Sequence, residues 1–400
     1  MGALRMMVLG VSALAVVVIG AGGSVSAATR PTKAVTTSAS KLSTSSFNRN
    51  FSAMSGLKSL VKEGKGGITA ILPDTVSSAR YTEFDAPFLT TALQTAGLPA
   101  SDITVENADG VDATELSDAQ AAVTAGSKVL IMDPLDSGVG AEIESYAKSH
   151  GVDVIDYDRL TLGGSREYYV SFNNVKVGEL IGKGFVACVS AWHVKKPEVM
   201  VMHGATTDNN ATLFAQGYDK VLAPYFKSGK YVDVANTAGS WDPPTALTEF
   251  QQAYTAHSTI NSAVIPNDET GAPIISYLQS LHIKPKTFPT TGQDATLVGL
   301  QNVLSGYQCG TVYKPIYEEA QAAVALAVYL RAGKTPPASL VNTTTEDTVN
   351  NVAVPSVLLA PEWVTAKNMN STVIADDFVP AFQLCAGSFA STCKKAGIKP

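Results

Sequence analysis

From residue 67 onward the chain alternates short β-rich runs with longer amphipathic ones, and this alternation constrains the fold more than any other feature. Strands are expected at 68–72, 103–106, 129–132 and 152–155, with helices at 83–96, 112–125 and 139–149 between them. A second series follows, with strands at 168–172, 199–203, 232–236, 263–265 and 287–291. Its helices are expected near 175–189, 211–226, 245–256, 271–281 and 295–304. Strands separated by helices cannot close as hairpins; they pair in parallel through right-handed crossovers. The fold class is therefore α/β, with two doubly wound parallel-sheet domains. A chain of 400 residues, 45% of them apolar, is long enough for two cores.

The ends of the chain read differently. The first 27 residues carry one charge, Arg5, then an apolar run from 6 to 19, then small residues ending at Ala27. That is the pattern of a secretory signal cut after Ala27, and the run is shorter than the roughly 20 residues a bilayer span needs. The protein is expected to be secreted or extracytoplasmic. No cysteine precedes Cys188, so the mature protein is expected to be free of a lipid-bearing cysteine. Residues 29–50, rich in Ser, Thr and Lys, read as a spacer, followed by a short helix before residue 65. Of the four cysteines, Cys385 and Cys393 are expected to form a local bridge pinning the tail. Cys188 and Cys309 are either a second pair or buried thiols. Their spacing fits no zinc pattern, and neither a metal nor a cofactor is called for.

In doubly wound sheets ligands sit beyond the carboxyl ends of the strands, and the polar residues here concentrate in those loops. They read PDTVSSARY (73–81), DYDR (156–159), TTDNNA (206–211), GSWDPP (239–244), PNDE (266–269), GQDA (292–295) and VYKP (312–315). Taken singly each has a structural reading: Asp158 with Arg159 as a loop ion pair, Asp208 or Asp268 as a helix cap, Trp241 as core, Lys314 as a solvated turn residue. Their shared topological position favours a site. Planar hydrogen-bonding groups beside aromatic rings suit a sugar, whose hydroxyls point in fixed directions and whose C–H faces are apolar.

These stretches, together with YYVSFNNVKVGEL (168–180) and DNNATLF (208–214), resemble the periplasmic sugar-binding proteins of type I fold, most of all those that bind D-xylose. The resemblance runs from about residue 67 to 380. It implies that Arg80, Arg159, Asp208, Asn210, Asn267, Asp294 and Lys314 hydrogen-bond a monosaccharide and that Tyr81 and Trp241 sandwich its ring. Position 81 is Tyr where a xylose-binding member of the family has Trp, which reduces the stacking area. The resemblance further implies hinge crossings near Phe172, Gly310 and Val352. One lobe would comprise 66–171 plus 314–348, the other 172–313 plus 349–400. A monomer serving a membrane permease of an ABC importer is the function it implies, with sugar sensing for a signalling receptor as the alternative.

Other classes fit less well. The net charge of −6 contains no long basic run, which argues against nucleic acid. A glycosidase needs one carboxyl with a raised pKa, whereas Asp208 and Asp294 are expected to be held ionised by neighbouring Arg and Lys. His203, at a strand end, has no nucleophile motif beside it. The chain is read as a binding protein, not an enzyme.

Overall fold

The structure, a computed structural model, describes residues 41–399. The expected signal, its cleavage after Ala27 and the first part of the spacer lie outside the described residues. The described chain opens with α1 (Lys58–Val61), β1 (Gly67–Leu72), α2 (Ala86–Ala96), β2 (Ile103–Asn107), α3 (Asp112–Thr124), β3 (Ser127–Met132), α4 (Ser137–Ser149), β4 (Asp153–Tyr157) and β5 (Tyr168–Phe172). It continues with α5 (Asn174–Ala191), β6 (Glu198–Val201), α6 (Asn209–Lys227), β7 (Val232–Asn236), α7 (Pro243–Ala256), β8 (Ser262–Val264), α8 (Asp268–Ser280), α9 (Leu297–Ser305) and β9 (Thr311–Tyr313). The last part holds α10 (Ile316–Arg331), β10 (Thr343–Asp347), β11 (Val352–Leu359), β12 (Glu362–Val364), α11 (Ala381–Leu384) and α12 (Ala390–Lys395).

These elements build a seven-stranded sheet in the order β10-β11-β5-β4-β3-β1-β2, a three-stranded sheet β7-β6-β8 and an antiparallel pair β12-β9. All pairings in the two larger sheets are parallel except β10 with β11. The central strands β1 and β3 are buried along nearly their whole length, as expected of strands covered by helices on both faces. The chain passes between the sheets three times: from β5 into α5, from β9 into α10, and from β11 into β12.

Helix starts are set by the loops that follow strands. Asp136 caps α4, Asp208 caps α6, Asp242 caps α7 and Asn267 caps α8, each accepting backbone N–H groups from the first turn. Capping therefore fixes the backbone of the same loops that carry the candidate site.

Four features depart from the sequence reading. The segment 287–291 is not a strand. Pro289 brings no N–H to a ladder, and the Thr291 hydroxyl stands in for backbone by donating to Ile265 O and accepting from Ile265 N. The described part of the spacer packs instead of projecting: Leu42 and Phe47 are buried, as are Phe51, Met54 and Leu57 just beyond it, and Arg49 donates from Nε to Asp376 O at 2.7 Å. A few large apolar residues suffice to anchor a polar segment when they are fully buried against the core. Strand β11 completes the seven-stranded sheet through β5, so residues 352–359 join the half opposite to the one expected, and the third crossing falls after Leu359. The second falls after Tyr313, where α10 leaves to pack on β3, β4 and β5.

Both cysteine pairs are bridged, Cys188 to Cys309 and Cys385 to Cys393. The latter closes a small helical tail whose α11 and α12 pack on α9. The tail also reaches the other half of the molecule, where Phe378 stacks on Phe84 with ring centres 3.9 Å apart.

Candidate functional site

All nine residues expected to meet a sugar line one cleft, whose walls nearly meet and leave a cavity of about 20 Å³. Arg80 and Tyr81 follow β1, Arg159 follows β4, Asp208 and Asn210 begin α6, and Trp241 precedes α7. Asn267 caps α8, Asp294 lies just before α9, and Lys314 follows β9. Ser77, Ser78, Asp158, Phe214 and Gln293 complete the lining. His203 is not among them: its ring nitrogens meet the Tyr218 hydroxyl at 2.5 Å and Asn236 Oδ1 at 3.3 Å.

The hub of the cleft is a buried cation with several carboxylates. Arg80 is 1% exposed and donates to both oxygens of Asp85, at 2.7 and 2.9 Å, to Glu319 at 2.6 Å and to Asp158 at 2.8 Å. Four of the five guanidinium N–H groups are thus committed to carboxylates, so Arg80 orients Asp158 as much as it faces the cleft. Burial pushes the Glu319 carboxyl up to about 8 despite Arg80 beside it, and one of its oxygens has no hydrogen-bond partner. Asp158 goes the other way: burial would raise it, but Arg80, Lys314 and Arg159 together hold it below the usual carboxylate range.

Asp158 sits in the left-handed region, φ 55°, a conformation Asp tolerates better than most residues. Its backbone oxygen accepts from Tyr169 at 2.9 Å, Ser171 at 2.8 Å and Asn210 Nδ2 at 2.9 Å, which locks the loop. Its carboxylate also accepts from the Tyr81 hydroxyl at 3.1 Å. Tyr81 in turn accepts from Arg159 Nη2 at 3.1 Å, and the Arg80 and Arg159 guanidinium carbons lie 5.4 and 5.6 Å from its ring centre. The hydroxyl of Tyr81 is therefore part of the polar network, a role the stacking expectation did not assign. Asp158 was legible only as the middle of DYDR, one residue past a strand end, where it read equally as an ion-pair partner for Arg159.

Opposite stands Asp208. One oxygen caps α6 through Asn210 N at 2.8 Å, and the other accepts from Trp241 Nε1 at 2.9 Å. Capping and ligand-facing geometry thus coexist in one side chain. The expectation that cations hold Asp208 ionised does not describe it: burial pushes its carboxyl up, and Arg159 Nε, 3.6 Å away, only partly offsets that. The Trp241 ring is placed by Gly204, where any Cβ would run into it, and by an edge contact with Phe214 at 6.3 Å. Asp133 lies behind Arg159, its Oδ1 3.6 Å from Nε. Both oxygens are buried without a hydrogen-bond partner, and burial pushes its carboxyl well up.

Direct bonds join the two sides of the cleft. Ser78 donates to Asp294 at 2.8 Å, Asn267 Nδ2 to Ser77 O at 2.8 Å, and Asn210 Nδ2 to Asp158 O. Lys314, 3% exposed, stands at the crossing with Nζ 2.9 Å from Asp294 and 4.0 Å from Asp158. The arrangement offers donors and acceptors in fixed directions around a small volume, with Trp241 supplying a flat apolar wall.

The periplasmic binding protein domain matches residues 70–335 of the chain, more than half of its length. The D-xylose-binding periplasmic protein of Escherichia coli (strain K12) is 36% identical over 278 residues, spanning 68% of this chain and 80% of that protein. The multiple sugar-binding periplasmic receptor ChvE of Rhizobium radiobacter is 30% identical over 335 residues, 80% of this chain and 92% of the receptor. Among solved structures, an ABC transporter solute binding protein from Clostridium phytofermentans with bound β-D-glucose superposes with a TM-score of 0.71 at 25% identity. That match covers 79% of this chain and 99% of the other. The chain belongs to the periplasmic binding proteins of type I fold. Within them it falls among relatives whose named ligands are sugars.

Proposed function

We propose that the protein is the extracytoplasmic substrate-binding component of an ABC sugar importer, taking one monosaccharide between two lobes that close around it. The observation that carries this reading is the convergence of nine residues, Trp241 among them, from loops that follow strands of both larger sheets and of β9, on one cleft. Arg159, Asp158, Asn210, Asn267, Asp294 and Lys314 supply polar partners for ring hydroxyls, and Trp241 supplies the stacking face. Partners on both sides of the cleft make a sugar favour the closed form, since a ligand shifts an equilibrium only by its differential affinity. A membrane permease would recognise that closed form.

D-xylose or a related aldose is the ligand we favour. Two D-xylose-binding relatives are 36% identical to this chain, whereas other relatives carry several sugars. The extracytoplasmic placement rests on those relatives, which are periplasmic by name. The site is read as binding and not hydrolytic because its carboxylates are engaged with buried cations, a backbone cap or the indole of Trp241. Calorimetric titration of the protein with aldopentoses and aldohexoses tests the proposal. Saturable heat with one or a few of them is expected, weakened in Trp241→Ala and Asp294→Ala; no heat with any monosaccharide overturns it.

A further inference from the structure

A second depression, about 610 Å³, lies at the opposite edge of the three-stranded sheet. It is formed where α5 ends, by the 193–197 loop leading into β6, and by the end of α6 with residues leading into β7. It therefore sits at the amino ends of β6 and β7, whereas the sugar cleft lies at carboxyl ends.

Its chemistry differs from that of the cleft. Lys195, Lys196, Lys230 and His193 are exposed along it, and no carboxylate lines it. None of these three lysines forms a salt bridge among the described residues. On a chain of net charge −6 this is a local reversal of sign. Tyr225 and Tyr231 stack with ring centres 4.7 Å apart, and Lys230 Nζ lies 5.1 Å from the Tyr225 ring centre. Val186, Ala187 and Val194, each with exposed surface, add apolar wall. The rim is also held in place: His193 and Lys196 are left-handed, with φ 56° and 49°. The last turn of α5 closes through Val194 N to Val189 O, and Cys188 beside it is tied to Cys309. Such preorganisation lowers the cost of binding.

We propose that this groove is a docking site for a linear phosphodiester polymer of the cell envelope, with the lysines on successive phosphates and the partly exposed Tyr225, backed by the buried Tyr231, against the polyol between them. Repeating anions suit separated ammonium groups, and C–H-rich spacers suit aromatic faces. A lipid surface fits less well, because the exposed large apolar side chains, such as Phe382, Val76 and Val349, lie outside the groove. Occupancy here is independent of the sugar reading, because the two sites use opposite ends of the same strands.

The test titrates the protein with poly(glycerol phosphate) and with inorganic polyphosphate at several salt concentrations, with vesicles of anionic phospholipid alongside. Saturable polymer binding is expected, with affinity falling as salt rises. The Lys195→Gln, Lys196→Gln, Lys230→Gln triple variant should bind at least about tenfold more weakly and lower the slope of log K against log salt by about 2. Tyr225→Ala should weaken poly(glycerol phosphate) more than polyphosphate. Sugar calorimetry and the thermal midpoint of the triple variant should match those of the parent, which separates failure of this site from failure of the cleft. Absence of polymer binding, equal binding by the triple variant, or binding of vesicles in place of polymer would each overturn the proposal.

Discussion

Replacing Asp158 by Asn removes one negative charge from the centre of the cleft while keeping the shape of the side chain. Asn tolerates the left-handed backbone at this position as well as Asp does, so the loop itself should not move. The carboxylate accepts from Arg80 at 2.8 Å and from Tyr81 at 3.1 Å, and it is 4% exposed. A hydrogen bond to a charged acceptor contributes about 1 kcal/mol more than one to a neutral acceptor, so two such bonds put the loss near 2 kcal/mol at neutral pH. Asp158 is held below its ordinary pKa in the folded state, so its contribution is complete above the ordinary carboxylate range and fades as pH falls through the folded value. Urea unfolding of parent and variant should therefore show a gap of about 2 kcal/mol at pH 7 that narrows steadily below about pH 4. Sugar titration on the same samples should show weaker binding, because the cleft loses an acceptor and Arg80 and Lys314 keep less compensation. Equal stability at pH 7, or a gap that does not shrink in acid, would refute the charged role assigned to Asp158.

Four other outcomes follow from the geometry. Gly204→Ala should displace the Trp241 ring and weaken sugar binding about tenfold or more with little change in the far-ultraviolet circular dichroism spectrum; unchanged affinity would separate Trp241 from the site. Phe378→Ala removes a 2% exposed ring stacked on Phe84 and should lower stability by about 3 kcal/mol, read as a fall in the thermal midpoint. Thiol counting on the denatured, unreduced protein should find no free thiol among the four cysteines, and reduction should lower the midpoint further. Burial pushes the Glu115 carboxyl up to about 8, so the folded state prefers it protonated and stability drains away as pH rises from the ordinary range through that value. Glu115→Gln should accordingly be more stable than the parent above pH 8, by a margin on the order of 5 kcal/mol, and no more stable near pH 4.

Much of the site was legible because of where its residues fall. The period-2 and period-3.6 patterns located the first eight strands to within two residues, as with Tyr168–Phe172 and Val232–Asn236, but placed one at 287–291 that does not form and none of β9 to β12; the rule that ligands lie past strand ends pointed to loops that the fold brings into one cleft. Roles within the site were less legible. Arg80 reads the same in sequence whether its guanidinium meets a hydroxyl or three carboxylates, and Glu319, inside α10 and far from any loop, gave no sign of joining it.

By itself the sequence determined the α/β class, the parallel pairing and the set of polar residues placed at strand ends, because all of these follow from local periodicity and from the short reach of a crossover. Only the tertiary structure decided that β11 returns to the first sheet and that residues 41–57 pack against the body. It alone decided that Ser78 meets Asp294 across 216 residues and that Asp158 is charged at the centre while Asp208 and Glu319 are pushed the other way. The physical reason is range. Propensity and amphipathic pattern act over a few residues, whereas desolvation and Coulomb interaction depend on which distant groups the fold brings within a few ångströms.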